Sequence, residues 1–123
     1  MKYIQTSEAP QAIGPYSQAI AINGFLYTSG QIALTPDGKF VNEDIVAQTK
    51  QVLENLQQVL KAGGSSLDRV VKTTIYLKNM EDFEAVNRVY AEFFGNHKPA
   101  RSTVAVQKLP KDALVEIEAV AIV

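Results

Sequence analysis

Two glutamates lie in the middle of an otherwise apolar stretch near the end of the chain. If Leu114–Ile122 is a strand, side-chain alternation places Glu116 and Glu118 on one face among leucine, valine and isoleucine. Carboxylates are seldom buried unless a cation or hydrogen-bond donors accompany them. This face therefore predicts a nearby cation or donor, and alternation alone does not separate the roles of the two glutamates.

Arg101 is an obvious cation for this pair, because it begins the preceding strand candidate, Arg101–Val106. Two interpretations fit the spacing equally well. The first is a structural salt bridge from Arg101 to Glu116 or Glu118. The second is a guanidinium that binds a small carboxylate through two parallel hydrogen bonds, which arginine does better than lysine. The residues alone leave the choice open.

Weaker candidates lie elsewhere in the chain. Ser29 and Gly30 end a strand candidate, where glycine lets a ligand approach the backbone. Tyr16 offers a hydroxyl after a Gly-Pro turn, Asn87 interrupts the inner face of a predicted helix, and Thr103 shares a strand face with Arg101. Each also has an ordinary structural interpretation, such as a strand-end bend, a rim tyrosine or a hydrogen-bonded buried amide.

The residue types give no sign of a metal or cofactor. The chain has no cysteine and a single histidine, His97, which cannot form a metal site or a catalytic triad alone. Neither common phosphate-binding glycine motif is present. We therefore expect no cofactor and no metal, with His97 as a loop side chain.

The predicted elements are two helices and several strands. Helical periodicity covers Ile45–Ala62 and Met80–Phe94, with Asn79 as an N-cap candidate for the second. The inner face of the second helix is an apolar stripe of Met80, Phe83, Val86, Tyr90 and Phe94. The strand candidates, joined early on by an Asn23-Gly24 hairpin turn, are Ser17–Ile22, Phe25–Gln31, Val70–Leu77, Arg101–Val106 and Leu114–Ile122. The order ββαβαββ, with a further short strand near Tyr3 as an option, predicts an α+β fold: two helices on one face of a mixed sheet.

The other sheet face has no helix to cover it. Alternation predicts apolar side chains on both faces of Val70–Leu77, with Val70 and Tyr76 on one face and Val71, Ile75 and Leu77 on the other. The last strand is apolar on both faces as well. A bare apolar face of this size indicates association, and a closed homo-oligomer covers it most economically.

Composition narrows the class of protein. The chain has 123 residues, 46% apolar and 20% charged, with a net charge of −1, as expected of one globular domain spanning residues 1–123. Nucleic acid is an unlikely partner on this basis, since binding its backbone requires clustered positive charge. No segment resembles a signal peptide or a membrane span, so we expect no membrane partner and a cytoplasmic location.

Five separated segments, in order, resemble the RidA (YjgF) family, and the resemblance covers about Ile4 to Ile122. The segments are Ala12–Ala19, Thr28–Ile32, Val71–Leu77, Lys98–Val104 and Leu109–Ala119. The resemblance implies a chorismate-mutase-like α+β fold, assembled as a homotrimer around the uncovered sheet face. It also implies active sites in clefts between subunits, which hydrolyse 2-iminobutanoate and 2-iminopropanoate to 2-oxo acids and ammonia.

The same resemblance assigns roles to individual residues. Arg101 would bind the substrate carboxylate and Glu116 would work with the attacking water. The pocket-lining positions would be Tyr16, Ser29, Gly30, Asn87 and Thr103. Many family members have cysteine at the position of Thr103, whose hydroxyl keeps a hydrogen-bonding role but not a thiol-dependent one.

Three alternatives stand beside the imine hydrolase. The arginine cleft of a non-catalytic module could bind a 2-oxo acid, or regulate through it, without turnover. An RNA-directed role, proposed for some relatives, conflicts with the near-neutral charge and the lack of a basic-aromatic cluster. A chorismate mutase activity would rest on fold analogy alone.

Overall fold

A computed structural model of the chain describes all 123 residues as a mixed six-stranded sheet with two helices. The strands are β1 (Lys2–Ile4), β2 (Ala19–Ile22), β3 (Phe25–Thr28), β4 (Val70–Leu77), β5 (Ala100–Ala105) and β6 (Val115–Ile122). The helices are α1 (Ile45–Ala62) and α2 (Phe83–Phe94). In space the strands run β1-β2-β3-β6-β4-β5, and only β4 and β5 are parallel. The predicted α+β class is confirmed, including the optional first strand.

Helix α1 has the bounds that the periodicity predicts, because both ends carry clear signals. The Asp44 side chain accepts a hydrogen bond of 2.9 Å from the Ala47 N–H, which caps the first turn. At the other end the Gly63 N–H donates to the carbonyls of Val59 and Leu60, each at 3.1 Å. The cap and the terminal glycine thus fix the residues at which the helix begins and ends.

Helix α2 begins three residues later than predicted. Met80–Asp82 form a separate 3₁₀ turn, in which the Asn79 side chain accepts from the Glu81 N–H at 2.9 Å, so Asn79 caps this turn. Met80, predicted on the inner face, is 45% exposed because the tighter turn carries it outwards.

Both helices pack on the same face of the sheet, which we call the helix face. The core is a single cluster of 22 buried residues drawn chiefly from α1, α2 and the strands. The central strand β6 contributes Val115, Ile117, Ala119 and Ala121. Neither helix has the combination of length and apolar character needed to cross a membrane.

The opposite face carries no helix, and we call it the open face. Large apolar side chains are exposed there, including Phe25 at 40%, Tyr27 at 47% and Ile122 at 40%. The Asn23-Gly24 turn that presents Phe25 has φ angles of 52° and 82°, as a two-residue hairpin requires. The uncovered apolar face predicted from the sequence is therefore present.

One prediction about strand β4 is wrong. Its register against β6 shifts between Val70 and Lys72, which marks a bulge. A bulge adds one residue and reverses the alternation that follows it. Val70 is therefore buried on the helix face with Ile75 and Leu77 instead of sharing a face with Tyr76.

Candidate functional site

Arg101 and Glu116 lie on opposite faces of the sheet. Arg101 pairs in register with Thr73, whose side chain is fully buried on the helix face. Glu116 pairs with Tyr76 on the open face. Paired residues in a sheet project to the same face, and β4 separates β5 from β6. Arg101 is thus separated from both glutamates by an intervening strand and by the sheet itself. The salt-bridge interpretation of Arg101 is wrong.

The chain contains a single ion pair, and it involves neither Arg101 nor Glu116. Lys78 Nζ lies 3.0 Å from Asp112 Oδ1. Arg101 instead lies over two aromatic rings, with its Cζ 5.0 Å from the Tyr90 centroid and 5.5 Å from the Phe83 centroid. Arg101 is an exposed residue, and no acid of the same chain forms an ion pair with it.

Asn87 and Thr103 accompany Arg101, and we call these three residues the arginine half-site. Arg101 and Asn87 line a cavity of about 450 Å³ beside the end of α2. Thr103 pairs with Ile75, which places it on the same face as Arg101, as predicted. Asn87 Oδ1 and Thr103 Oγ1 are buried without a hydrogen-bond partner in the chain. Buried polar atoms are nearly always satisfied, so both atoms indicate a partner from outside the chain.

Glu116 and Gly30 approach each other closely on the open face. The backbones of Gln31 and Ile117 exchange two hydrogen bonds of 2.9 and 3.1 Å, which join the segment that contains Gly30 to β6. A β-carbon at position 30 would stand 2.8 Å from Glu116 Cδ, closer than such contacts allow. A larger residue at position 30 would have to push the flexible Glu116 side chain aside. We call Glu116, Gly30, Tyr16 and Ser29 the glutamate half-site.

The surroundings of Glu116 favour its protonated form. Burial raises the pKa of the Glu116 carboxyl above its usual range, and the nearby Glu118 carboxylate raises it further. Burial also raises the pKa of Tyr76, directly opposite, and Glu118 and Glu116 add to that effect. Side-chain alternation did not distinguish the roles of the two glutamates, but the structure does. Glu116 lines a cleft, whereas Glu118 pairs with Thr74 and does not line that cleft.

This cleft has a volume of about 340 Å³, and Tyr16, Gly30 and Glu116 line it together. Tyr16 is 54% exposed and follows Gly14, whose φ of 125° turns the chain towards the rim. Ser29 lies beside the cleft. Its hydroxyl donates to the Ser17 carbonyl at 2.5 Å and its N–H donates to the Gln18 carbonyl at 2.9 Å. Ser29 therefore fixes the segment that presents Gly30.

The sequence interpretation missed several residues that shape the two half-sites. Tyr90 and Phe83 were assigned only to an apolar stripe, although they contact Arg101. Asn55, on the inner face of α1, donates to the carbonyls of Ile32 and Leu34 at 3.2 and 2.7 Å and so holds the cleft wall. A buried amide among apolar stripe positions is the signal that could have identified Asn55.

Two further side chains fix the edges of these clefts. Gln18 is buried, accepts from the Thr6 N–H and donates to the Pro10 carbonyl, both at 2.7 Å, which holds the N-terminal segment against the glutamate cleft. His97, predicted as a loop side chain, does lie in the loop after α2. Its Nε2 is 2.6 Å from the Val70 carbonyl, so it ties that loop to β4.

Comparison with known proteins places the chain in a family. A family model described as Endoribonuclease L-PSP matches residues 6–123. A RutC family protein of Pyrococcus horikoshii is 56% identical over 119 residues, which cover 96% of this chain and 94% of that protein. The 2-iminobutanoate/2-iminopropanoate deaminase of Mus musculus is 46% identical over 122 residues, with coverage of 98% and 90%.

A solved structure agrees. The crystal structure of RidA from an Antarctic Psychrobacter species matches with a TM-score of 0.96 and 38% identity, covering 100% of both chains. This chain belongs to the Endoribonuclease L-PSP family, the RidA (YjgF) family indicated by its five segments. The family resemblance and the fold class are confirmed, and a deaminase among the relatives supports an enzymatic role in the family.

Proposed function

We propose that the chain hydrolyses 2-iminobutanoate and 2-iminopropanoate to 2-oxo acids and ammonia, in sites shared between two copies of the chain. One observation carries this proposal. The arginine half-site holds a cation without an acid, whereas the glutamate half-site holds a carboxyl group on the opposite face. A small anionic substrate at a subunit boundary would meet both.

The open face supports the assembly that such a site needs. Phe25, Tyr27 and Ile122 expose apolar surface that a monomer would present to water. A closed homotrimer would cover this surface and bring the β5 edge of one copy towards the open face of the next. The orphaned Asn87 and Thr103 oxygens at that edge would gain partners from the substrate or the neighbouring copy.

Arg101 would bind the substrate carboxylate. A guanidinium presents two parallel N–H donors that match a carboxylate, and its charge remains fixed at physiological pH. Because no acid of the chain competes for Arg101, binding breaks no existing ion pair. The bound carboxylate would hold the imine carbon in a fixed position, which supplies the positional part of catalysis.

Glu116 would transfer the protons. In its protonated form it can donate to the imine nitrogen, which makes the neighbouring carbon more electrophilic; the resulting carboxylate then accepts a proton from the attacking water. The water oxygen bonds to carbon, giving a tetrahedral carbinolamine. Glu116, reprotonated by the water, gives that proton to the carbinolamine nitrogen, and the carbon–nitrogen bond breaks so that ammonia leaves. The hydroxyl proton passes to the Glu116 carboxylate as the 2-oxo acid forms. A raised pKa suits a carboxyl group that alternates between acid and base.

The experiment generates 2-iminobutanoate with a threonine dehydratase and times the release of 2-oxobutanoate with and without the protein. We expect acceleration by the wild type and none by either Arg101→Ala or Glu116→Gln. The two inactive variants are then unfolded, mixed in equal amounts and refolded together. If every site takes Arg101 and Glu116 from different copies, about a quarter of the sites contain both native residues and activity returns.

Each outcome has a distinct meaning. No acceleration by the wild type would overturn the proposed activity, and binding of 2-oxobutanoate without turnover would indicate a binding or regulatory module instead. An inactive mixture alongside an active wild type would overturn only the shared site. RNA cleavage, suggested by the description of the family model, has less support because the net charge is −1.

A further inference from the structure

Two aromatic rings contact Arg101, and neither has a role in the proposed function. Tyr90 and Phe83, which we call the aromatic cradle, both belong to α2. Their centroids lie 5.0 and 5.5 Å from Arg101 Cζ, within the distance of about 6 Å over which cation–π attraction acts. We propose that the aromatic cradle positions the Arg101 guanidinium to bind a substrate carboxylate, a role that rests on the proposed function.

Arg101 needs such support because nothing else fixes its charged end. It lies on the edge strand β5, is exposed and forms no ion pair. A long side chain that is free to move loses conformational entropy when it binds a ligand, and preorganisation reduces this loss. The cradle therefore favours carboxylate binding by holding the guanidinium in place beforehand.

The Tyr90 ring is itself held firmly. Its hydroxyl lies 2.7 Å from Thr73 Oγ1 in a buried hydrogen bond. Thr73 is fully buried and is the register partner of Arg101 on the neighbouring strand. The ring also stacks on Phe94 with centroids 4.4 Å apart. One hydrogen bond and one stacked ring thus connect α2, β4 and the position of the arginine.

The cradle also explains why arginine suits this position better than lysine would. A guanidinium can stack on a ring through its flat face and still present its in-plane N–H donors to a carboxylate. A lysine ammonium is a compact charge without such a fork, so contact with the rings does not orient it. The arrangement thus combines a contact that fixes the side chain with a free donor edge.

The test compares two inhibitors of the deaminase reaction of nearly equal size, the anion 2-oxobutanoate and its neutral amide. For Tyr90→Leu we expect the inhibition constant of 2-oxobutanoate to rise about 3- to 30-fold while that of the amide stays within about twofold. The KM for the imino acid should rise, with kcat within about twofold of wild type, because the lost interaction acts in substrate binding.

Matched variants separate positioning from structural damage. Phe93→Leu removes a half-buried ring from the same helix that does not contact Arg101, so both inhibition constants should stay unchanged. Tyr90→Phe keeps the ring and removes only the hydroxyl, and should restore most of the affinity for 2-oxobutanoate. If Tyr90→Leu does not fold, Phe83→Leu, whose ring is less buried, carries the same test.

The results either support the cradle or overturn it. Weaker inhibition by 2-oxobutanoate, with unchanged inhibition by the amide, supports the positioning role of the aromatic cradle. Equally weaker inhibition by 2-oxobutanoate and by the amide would show a merely structural role. Unchanged inhibition constants for both would show that the rings do not act on Arg101. Both of the latter results overturn the cradle while leaving the proposed function intact. Absence of imine hydrolysis by the wild type would instead overturn the proposed function itself.

Discussion

The arginine half-site and the glutamate half-site differ in the surroundings of their charged residue and in its charge state. Arg101 lies on an edge strand, is exposed and contacts aromatic rings, so its charge stays available. Glu116 lies on the central strand β6, where burial raises the pKa of its carboxyl and favours the neutral form. One half thus provides fixed charge and the other a movable proton. The proposed imine hydrolysis would need both, an anchor for the substrate and a proton carrier.

The largest expected effect comes from replacing Arg101, the proposed binding residue for the substrate carboxylate. Arg101→Ala should lower kcat/KM for 2-iminobutanoate by about 10²- to 10⁴-fold, since two charge-assisted hydrogen bonds are worth about 1.5–3 kcal/mol each. Arg101→Lys should restore little of this loss. The melting temperature should stay near that of wild type, because Arg101 is exposed and unpaired. Arg88→Ala, at an exposed position on α2, is the control, and a similar loss there would contradict the assignment.

Replacing the proton carrier should separate activity from stability. Glu116→Gln should lower kcat by about 10²- to 10⁴-fold, the range typical of a lost general acid–base. The raised pKa means that wild type loses stability as the pH rises through that value and the buried carboxyl ionises. Glutamine does not ionise, so the variant should melt higher than wild type at pH 7, with a smaller difference at pH 4. A variant that melts lower at pH 7 would contradict this.

A smaller effect is expected from crowding Glu116. Gly30→Ala would place a methyl group against the Glu116 carboxyl and push that flexible side chain aside. We expect activity to fall about 10- to 100-fold with little loss of stability. The decisive comparison is with the Glu116→Gln and double variants. If Gly30 acts through Glu116, the double variant should be no worse than Glu116→Gln alone, and additive losses would assign Gly30 an independent role.

The smallest effect concerns the neighbouring glutamate. Glu118 does not line the cleft, but its charge contributes to raising the pKa of Glu116. Glu118→Gln should therefore lower the pKa of Glu116 and move the alkaline limb of the pH–rate profile, where protonated Glu116 is lost, to lower pH. The maximal rate should change by less than about tenfold, since Glu118 touches no reacting group. A loss as large as that of Glu116→Gln would show that the two roles were assigned the wrong way round.

The sequence predicted the parts of this molecule that depend on local signals. The bounds of α1 follow from its periodicity and the glycines after Ala62, and the structure places them at the same residues. The Asn23-Gly24 turn likewise follows from two residues that tolerate positive φ. The alternation in β6 correctly placed Glu116 and Glu118 on one face.

The same reasoning did not predict how strands distant in the sequence pair with one another. The bulge after Val70 exists only in the pairing of β4 with β6, so periodicity along β4 gave the wrong face for Val70. One of the two interpretations of Arg101 placed it beside the glutamates, on a neighbouring strand, yet β4 lies between β5 and β6. The contact of Tyr90 with Arg101 likewise joins α2 to an edge strand and has no signature in the spacing.

By itself, then, the sequence determined which residues could do chemistry: an arginine, a glutamate and the glycine beside it, in a family that includes a named deaminase. The type of a residue fixes its charge and its hydrogen-bonding capacity, so both properties can be read from the sequence without knowledge of the fold. Only the tertiary structure decided that Arg101 and Glu116 face opposite sides of one sheet. Strand order and register are set by packing between distant segments, so no spacing along the chain could show that one copy leaves the proposed site incomplete.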